Sequence, residues 1–421
     1  MPYGYNDGKV NFMRKKVIVI GAGPAGIMAG ITAARQNKEV IVIEKNDQIG
    51  KKLRITGGGR CNLTNACSIS EMIEKTLCNG KFLYPSFNAF SNMDLIHFVE
   101  SNGCKVKIES KGKVFPLSDR SQDVIDLFLR VLNQYNAVVR TQHEVKDILT
   151  SENTIVGVQL RDGLVLECDS VIIATGGMSY PHLGSTGDGY TFAQTLGHRI
   201  VDLKPSLVPI AIKEEWIDDL MGISLKDVRI ISKVSNKKKI ETEGDLIFTH
   251  YGISGPAVLE HSAYLNKYAQ SSGSIIKIDL LPSYQYEDLE LIFKNESMMN
   301  GSKLVRSILG NYLPKNLSSK LLNLLEVEED LRLRDLSKKD RNKLIHIIKE
   351  LELTVSSFRS IKEATITSGG IPINEIDSKT MESKVIKGLY FAGEIIDVDA
   401  ITGGYNLQIA FSTGYVAGMN A

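Results

Sequence analysis

Residues 17–26 read Val17-Ile18-Val19-Ile20-Gly21-Ala22-Gly23-Pro24-Ala25-Gly26, and the fold follows from that order. Four β-branched apolar residues run straight into three spaced glycines. A helix-compatible segment continues from Ile27 to Gln36. A second apolar run, Val40-Ile41-Val42-Ile43, then ends in Glu44. Strand, glycine turn, helix, strand and acid together specify a βαβ unit that holds a dinucleotide. Gly21 allows the sharp turn, because glycine adopts positive φ without strain. Gly23 lets a pyrophosphate approach the backbone, and Gly26 lets the helix pack closely on the strands. Pro24 and Ala25 open the helix, whose first amides and positive dipole end face the phosphates. Glu44 stands where a carboxylate accepts hydrogen bonds from a ribose diol. An ordinary glycine turn would explain the glycines but not the acid. The motif alone does not choose between NAD and FAD.

Outward from this unit, 421 residues are too many for one compact core, so two or three domains are expected. Formal net charge is +1, which gives no support for a nucleic-acid-binding surface. The basic run Lys237-Lys238-Lys239 reads as a solvated hairpin tip. Residues Met1 to Arg14 read as a disordered leader, with Met13 as an alternative start. No apolar run approaches the ~20 residues that span a membrane. Five cysteines without a CxxC pair point to a reducing cytoplasm, not to a dithiol flavoenzyme. No metal-ligand spacing is present.

A dozen residues past Glu44, after Lys45 and Lys51, lies Thr56-Gly57-Gly58-Gly59-Arg60-Cys61-Asn62. Three consecutive glycines suit neither helix nor strand, and they leave backbone free to line an anion or a flat ring. Arg60 adds a planar charged fork for phosphate or carbonyl. Cys61 reads as a small packing residue, with a reactive thiol as the alternative. Residues Ile69 to Gly103 read as helical with a break at Pro85, and Val138 to Leu149 and Thr154 to Leu166 as strands. A buried strand at 169–173 ends in Ala174-Thr175-Gly176-Gly177, small residues that let a cofactor lie close. Asp188 suits the first turn of a following helix.

From Pro205 the texture changes to short strands with little helix, a small antiparallel sheet or barrel. It contains Phe248-Thr249-His250-Tyr251-Gly252-Ile253-Ser254-Gly255-Pro256. From Tyr286 to Glu352 leucines recur at helical spacing. The α/β texture then returns, with a strand ending in Ala392-Gly393-Glu394 and a last helix opening at Gly403-Gly404-Tyr405-Asn406-Leu407. The expected organisation is a leader at 1–14, an α/β domain from 15–204 and 357–421, a β-barrel-like insert at 205–283 and a helical subdomain at 284–356.

GAGPAG with Glu44, ATGG, GSTGDG at Gly184 to Gly189 and LYFAGE at Leu389 to Glu394 resemble the two-dinucleotide-binding-domain flavoproteins. TGGGRCNLTN, FTHYGISGP and AGEIIDVDAITGGYNLQ resemble, more narrowly, the BaiN/YhiN-type flavoproteins, described as aminoacetone oxidases and 3-dehydro-bile-acid reductases. The resemblance runs from about Val17 to Gly418. It implies bound FAD on a Rossmann-like domain. By position, Gly21 to Gly26 would hold the pyrophosphate and Glu44 the adenosine ribose. Lys45, Lys51 and the loop Gly58, Gly59, Arg60, Cys61, Asn62 would follow the cofactor toward the flavin. Val145 would touch adenine, and Ala174, Thr175 and Gly176 would lie close. Gly393 and Glu394 would bind near the ribityl chain, with Asn406 and Leu407 at the pyrimidine edge.

The chemistry expected is hydride transfer between flavin N5 and a small organic substrate. His250 or Tyr251 would move the proton, the alternative being that both merely shape a hairpin. A reductase would take hydride from NAD(P)H, admitted transiently, and pass it to a conjugated C=C. An oxidase would take it from an amine and give it to oxygen. A flavin-containing RNA-modifying or regulatory protein is the reading from another class. Neither a nucleic-acid nor a membrane partner is expected, and oligomeric state is open.

Overall fold

The computed structural model describes residues 14–235, 238–268 and 272–421. The expected leader before Arg14, with Met13, and Lys237 of the basic tip lie outside them. The chain divides into two compact units, one of residues 1–203 and 368–421 and the other of 204–367.

The first unit is built on a five-stranded parallel sheet. Lys16–Ile20 lies between Glu39–Ile43 and Ser170–Ile173, with Val138–Arg140 and Leu389–Phe391 at the edges. The β-branched runs are buried on both faces, as a helix-covered parallel sheet requires. Helix Pro24–Arg35 follows the first strand, and helix Tyr405–Asn420 packs along it. Small residues allow the close approach. A Cβ at Gly414 would run into the Ala25 carbonyl, and one at Gly418 into that of Ala29. Val145–Ser151, Thr154–Leu160 and Val165–Glu167 form a separate antiparallel sheet, so the strands expected between 138 and 166 serve two sheets. Pro85 does not break a helix; it opens one, Tyr84–Ala89, between helices Ile69–Glu74 and Asn92–Ser101.

The second unit is a closed six-stranded antiparallel barrel carrying helices. Its order is Ile210–Ile212, Gly252–Ser254, Lys238–Thr249, Ser224–Ser235, Ile275–Asp279 and Leu351–Phe358. The last strand comes after the leucine-rich helices, which therefore form an excursion between the fifth and sixth strands. Barrel and helices share one apolar core. Helix Pro256–Tyr268 lies against the two long strands, where little helix was expected. Its His261 is fully buried, with Nε2 2.8 Å from Ser232 Oγ and Nδ1 3.0 Å from Thr242 Oγ1. Among the described residues no helix is long and apolar enough to cross a membrane.

Candidate functional site

The carboxyl ends of the parallel strands meet at the Gly21–Gly26 turn, where an open α/β sheet places its ligand. Gly21 has φ +99°, and a Cβ there would sit 2.6 Å from the Ala174 carbonyl oxygen. A Cβ at Gly26 would strike the Gly21 carbonyl, whereas one at Gly23 would meet nothing. The turn is thus closed on its protein side and open on the other. The helix starts with Gly23 as N-cap and Pro24 at its first position. No side chain caps it and no acid lies in its first turn, so the amides of Ala25 and Gly26 are offered outward.

Glu44 is buried, and it is fixed rather than mobile. Its Oε2 accepts from the Ala22 amide (2.9 Å), and Oε1 from Asn46 N and Nδ2 (2.9 and 2.7 Å). Beside it a cleft is lined by Gly21, Lys45, His143, Val145, Thr175 and Asp188. Lys45 pairs with Asp188 and Thr186, which join the start of helix Asp188–Thr195 to the end of the second strand. The Thr175 hydroxyl is buried without a partner, and Gly176 has φ +75°. Gly393 lies against the first helix, since a Cβ there would be 2.8 Å from that of Ala25; its amide donates to Thr413.

Glu394 joins two residues that were not expected. Lys52 Nζ donates to its Oε2 (2.8 Å) and to Ser179 Oγ (2.7 Å), while Ser179 Oγ donates to Oε1 (3.1 Å). Lys51, the expected cofactor residue, pairs with Asp47 at 2.6 Å, an exposed residue in the loop before its helix.

The second glycine loop also differs in part from expectation. Gly58 and Gly59 have φ of +68° and +87°, and Cβ atoms there would meet nothing, so the loop exposes bare backbone. Arg60 is clamped: its guanidinium lies 3.9 Å from the centroid of the Phe115 ring, with Nη1 on Glu109 (2.9 Å) and Asp119 (3.3 Å). Cys61 is fully buried, and burial pushes its thiol up to about 12, the behaviour of a packing residue. Asn62, with its amide oriented so that Oδ1 faces the Gly404 amide (3.1 Å), fastens this loop to the start of the last helix. Asn65 adds a bond to the Gly403 carbonyl (3.1 Å). Asn406 spends its side chain on Ala400 and Ile401, holding the loop before that helix, and Leu407 is half-buried in the first turn. Like the first helix, this one has a glycine cap and no capping side chain.

In the second unit His250 and Tyr251 form the two-residue turn between strands Lys238–Thr249 and Gly252–Ser254. Their rings are perpendicular at 4.8 Å, and Arg359 lies 4.4 Å from the Tyr251 ring centroid.

The chain matches the model of the HI0933-like protein Rossmann domain over residues 15–420. It belongs to the HI0933-like family. Two curated relatives match it nearly end to end at 30% identity. One, from Escherichia coli K12, is named ribosomal RNA dihydrouridine synthase and aligns over 96% of both chains. The other, from Clostridium scindens, is named 3-dehydro-bile acid delta(4,6)-reductase and aligns over 96% of this chain and 98% of its own. A flavocytochrome c3 fumarate reductase structure has the same fold, with TM-score 0.52, 16% identity and coverage of 97% and 78%. This HI0933-like protein is an FAD-dependent oxidoreductase. The structure suits that cofactor: the open face at Gly23, the uncapped helix start and the bare Gly58–Gly59 backbone are cradles that side chains would fill. Lys52 and Ser179 had no local signal in the sequence; their shared partner Glu394 lies far along the chain.

Proposed function

We propose that the protein reduces a carbon–carbon double bond conjugated to a carbonyl, on a small enone-like or steroid-like substrate, with NADH or NADPH as electron donor. The observation that carries this is the end-to-end similarity to a relative named as a delta(4,6)-reductase. FAD supplies the hydride chemistry. Gly21 to Gly26 would hold its pyrophosphate, Glu44 and Val145 the adenosine, and Glu394, kept in place by Lys52 and Ser179, the ribityl side. The uncapped start of helix Tyr405–Asn420 would offer a positive dipole end to negative charge on the flavin ring. His250 or Tyr251 moves the proton. The five free cysteines support a reducing compartment, the cytoplasm.

A second reading rests on the relative named for dihydrouridine synthesis. The C5–C6 double bond of uracil is also conjugated to a carbonyl, so the same chemistry would act on a base in RNA. Anaerobic oxidation of NADH and NADPH by the purified protein distinguishes the two. A 3-keto-4,6-diene consumes the nicotinamide and uridine-containing RNA does not. The reverse pattern replaces the first reading by the second. Oxygen consumption with aminoacetone, and none of these reductions, overturns both.

A further inference from the structure

The FTHYGISGP turn holds more organised chemistry than a hairpin needs. Its backbone is fixed: a Cβ at Gly252 would strike the Ile210 carbonyl, and one at Gly255 would be 2.7 Å from that of Asp245. On this frame Tyr251 is held by the perpendicular His250 ring and by the Arg359 guanidinium. Arg359 comes from just beyond the last barrel strand, more than a hundred residues later. Its Nε donates to Glu363 at 2.9 Å, so carboxylate and aromatic ring fix the plane of the fork. Glu363 takes Nε and leaves the terminal nitrogens for another acceptor. Independently, the Thr249 hydroxyl at the base of the turn is buried and has no partner. An orphaned buried hydroxyl marks a place where a hydrogen-bonding group from elsewhere belongs.

We infer that His250, Tyr251 and Arg359 form a binding element for the carbonyl oxygen of the substrate, with Arg359 as its principal donor. The element rests on the proposed reduction of a conjugated carbonyl compound. Its chemistry suits that class: a guanidinium and an imidazole or phenol donate to one oxygen, and their hydrogen bonds strengthen as negative charge gathers there. Enones and uracil rings both carry such an oxygen, so the element serves either source. Lysine at 359 keeps the charge and loses the planar stacked fork.

The test is equilibrium dialysis of the oxidised FAD-loaded protein against carbonyl compounds whose conjugated C=C is already saturated: a saturated 3-keto steroid in one arm, a dihydrouridine-containing oligonucleotide in the other. Each arm has a control ligand with the carbonyl replaced by an alcohol. Arg359→Met is expected to raise Kd for the ketone about tenfold or more, the loss of a charged hydrogen bond, and to leave the alcohol control within a factor of two. Arg359→Lys gives an intermediate Kd. Flavin content and the rate of flavin bleaching by NADPH stay at wild-type values, which separates lost binding from lost folding. Equal Kd values for wild type and Arg359→Met, or no ketone binding by the wild type in either arm, overturn the inference. Because no turnover is involved, failure of the proposed reduction is read separately, from the absence of nicotinamide oxidation.

Discussion

Lys52 shows how much of the site depends on one unassuming side chain. It binds a carboxylate and a hydroxyl at once, is about a quarter exposed, and holds together residues 52, 179 and 394. Removing its charge leaves Glu394 without the cation that orients it. Lys52→Met is expected to weaken FAD binding about tenfold, since a charged hydrogen bond in a half-buried place contributes on that scale. Lys51→Met, whose partner is the exposed Asp47, is expected to change affinity less than twofold, because surface ion pairs contribute little. Titration of apoprotein with FAD, followed by flavin fluorescence, measures both. Equal losses would remove Lys52 from its special place. The sequence reading named Lys51, whereas the structure pairs Lys52 with Glu394, for a physical reason. Two adjacent lysines on a one-turn helix are indistinguishable by pattern, and the acid that selects one lies 342 positions away.

At the scale of elements, what could be read was what repeats locally. The β-branched runs, the glycine turn and the acid of the first βαβ unit all fall within thirty residues, and all are where their spacing placed them. The strand Leu351–Phe358 was hidden, because it follows helical leucine spacing without punctuation, and its place in the barrel depends on partners at 210–212 and 275–279. Helix Pro256–Tyr268 was hidden by the glycines and proline before it. Two predictions belong here. Alanine in a helix interior normally stabilises relative to glycine by up to ~1 kcal/mol. At Gly414 the sign reverses, because the added Cβ meets the Ala25 carbonyl. Gly414→Ala is expected to cost about 1–3 kcal/mol in urea unfolding and to lower flavin occupancy. A stabilised variant would contradict the packing described.

The other concerns His261, which burial pushes down to about 3 while the unfolded chain titrates near 6.5. Between these values the unfolded state binds the proton and the folded state does not. The stability is therefore complete above about pH 6.5 and declines as pH falls toward 3, by at most ~1.4 kcal/mol per pH unit. Urea midpoints between pH 7 and 5 should fall for the wild type, and the slope should flatten in His261→Gln. An unchanged slope would show that the imidazole is not held neutral.

For the molecule as a whole, the glycine clusters at 21–26, 57–59, 176–177 and 403–404 belong to one unit; Gly23, Gly58 and Gly59 leave bare backbone, while Gly403 and Gly404 let the chain pack against Tyr405 and Thr64. The Lys52–Glu394 ion pair and the Asn65–Gly403 hydrogen bond tie the early and late parts of the chain together within this unit. The cofactor was legible because each segment carries its own glycines. The substrate was not: Arg359 and Tyr251, the groups we propose to bind it, meet only in the folded barrel. We propose that bound FAD carries hydride from a nicotinamide to a conjugated double bond. Anaerobic single-turnover absorbance at the flavin band tests it most directly. NADH or NADPH should bleach the band, and a conjugated carbonyl compound added afterwards should restore it with one equivalent of saturated product per flavin. A band that neither nicotinamide bleaches, or one that only oxygen restores, would contradict this hydride transfer.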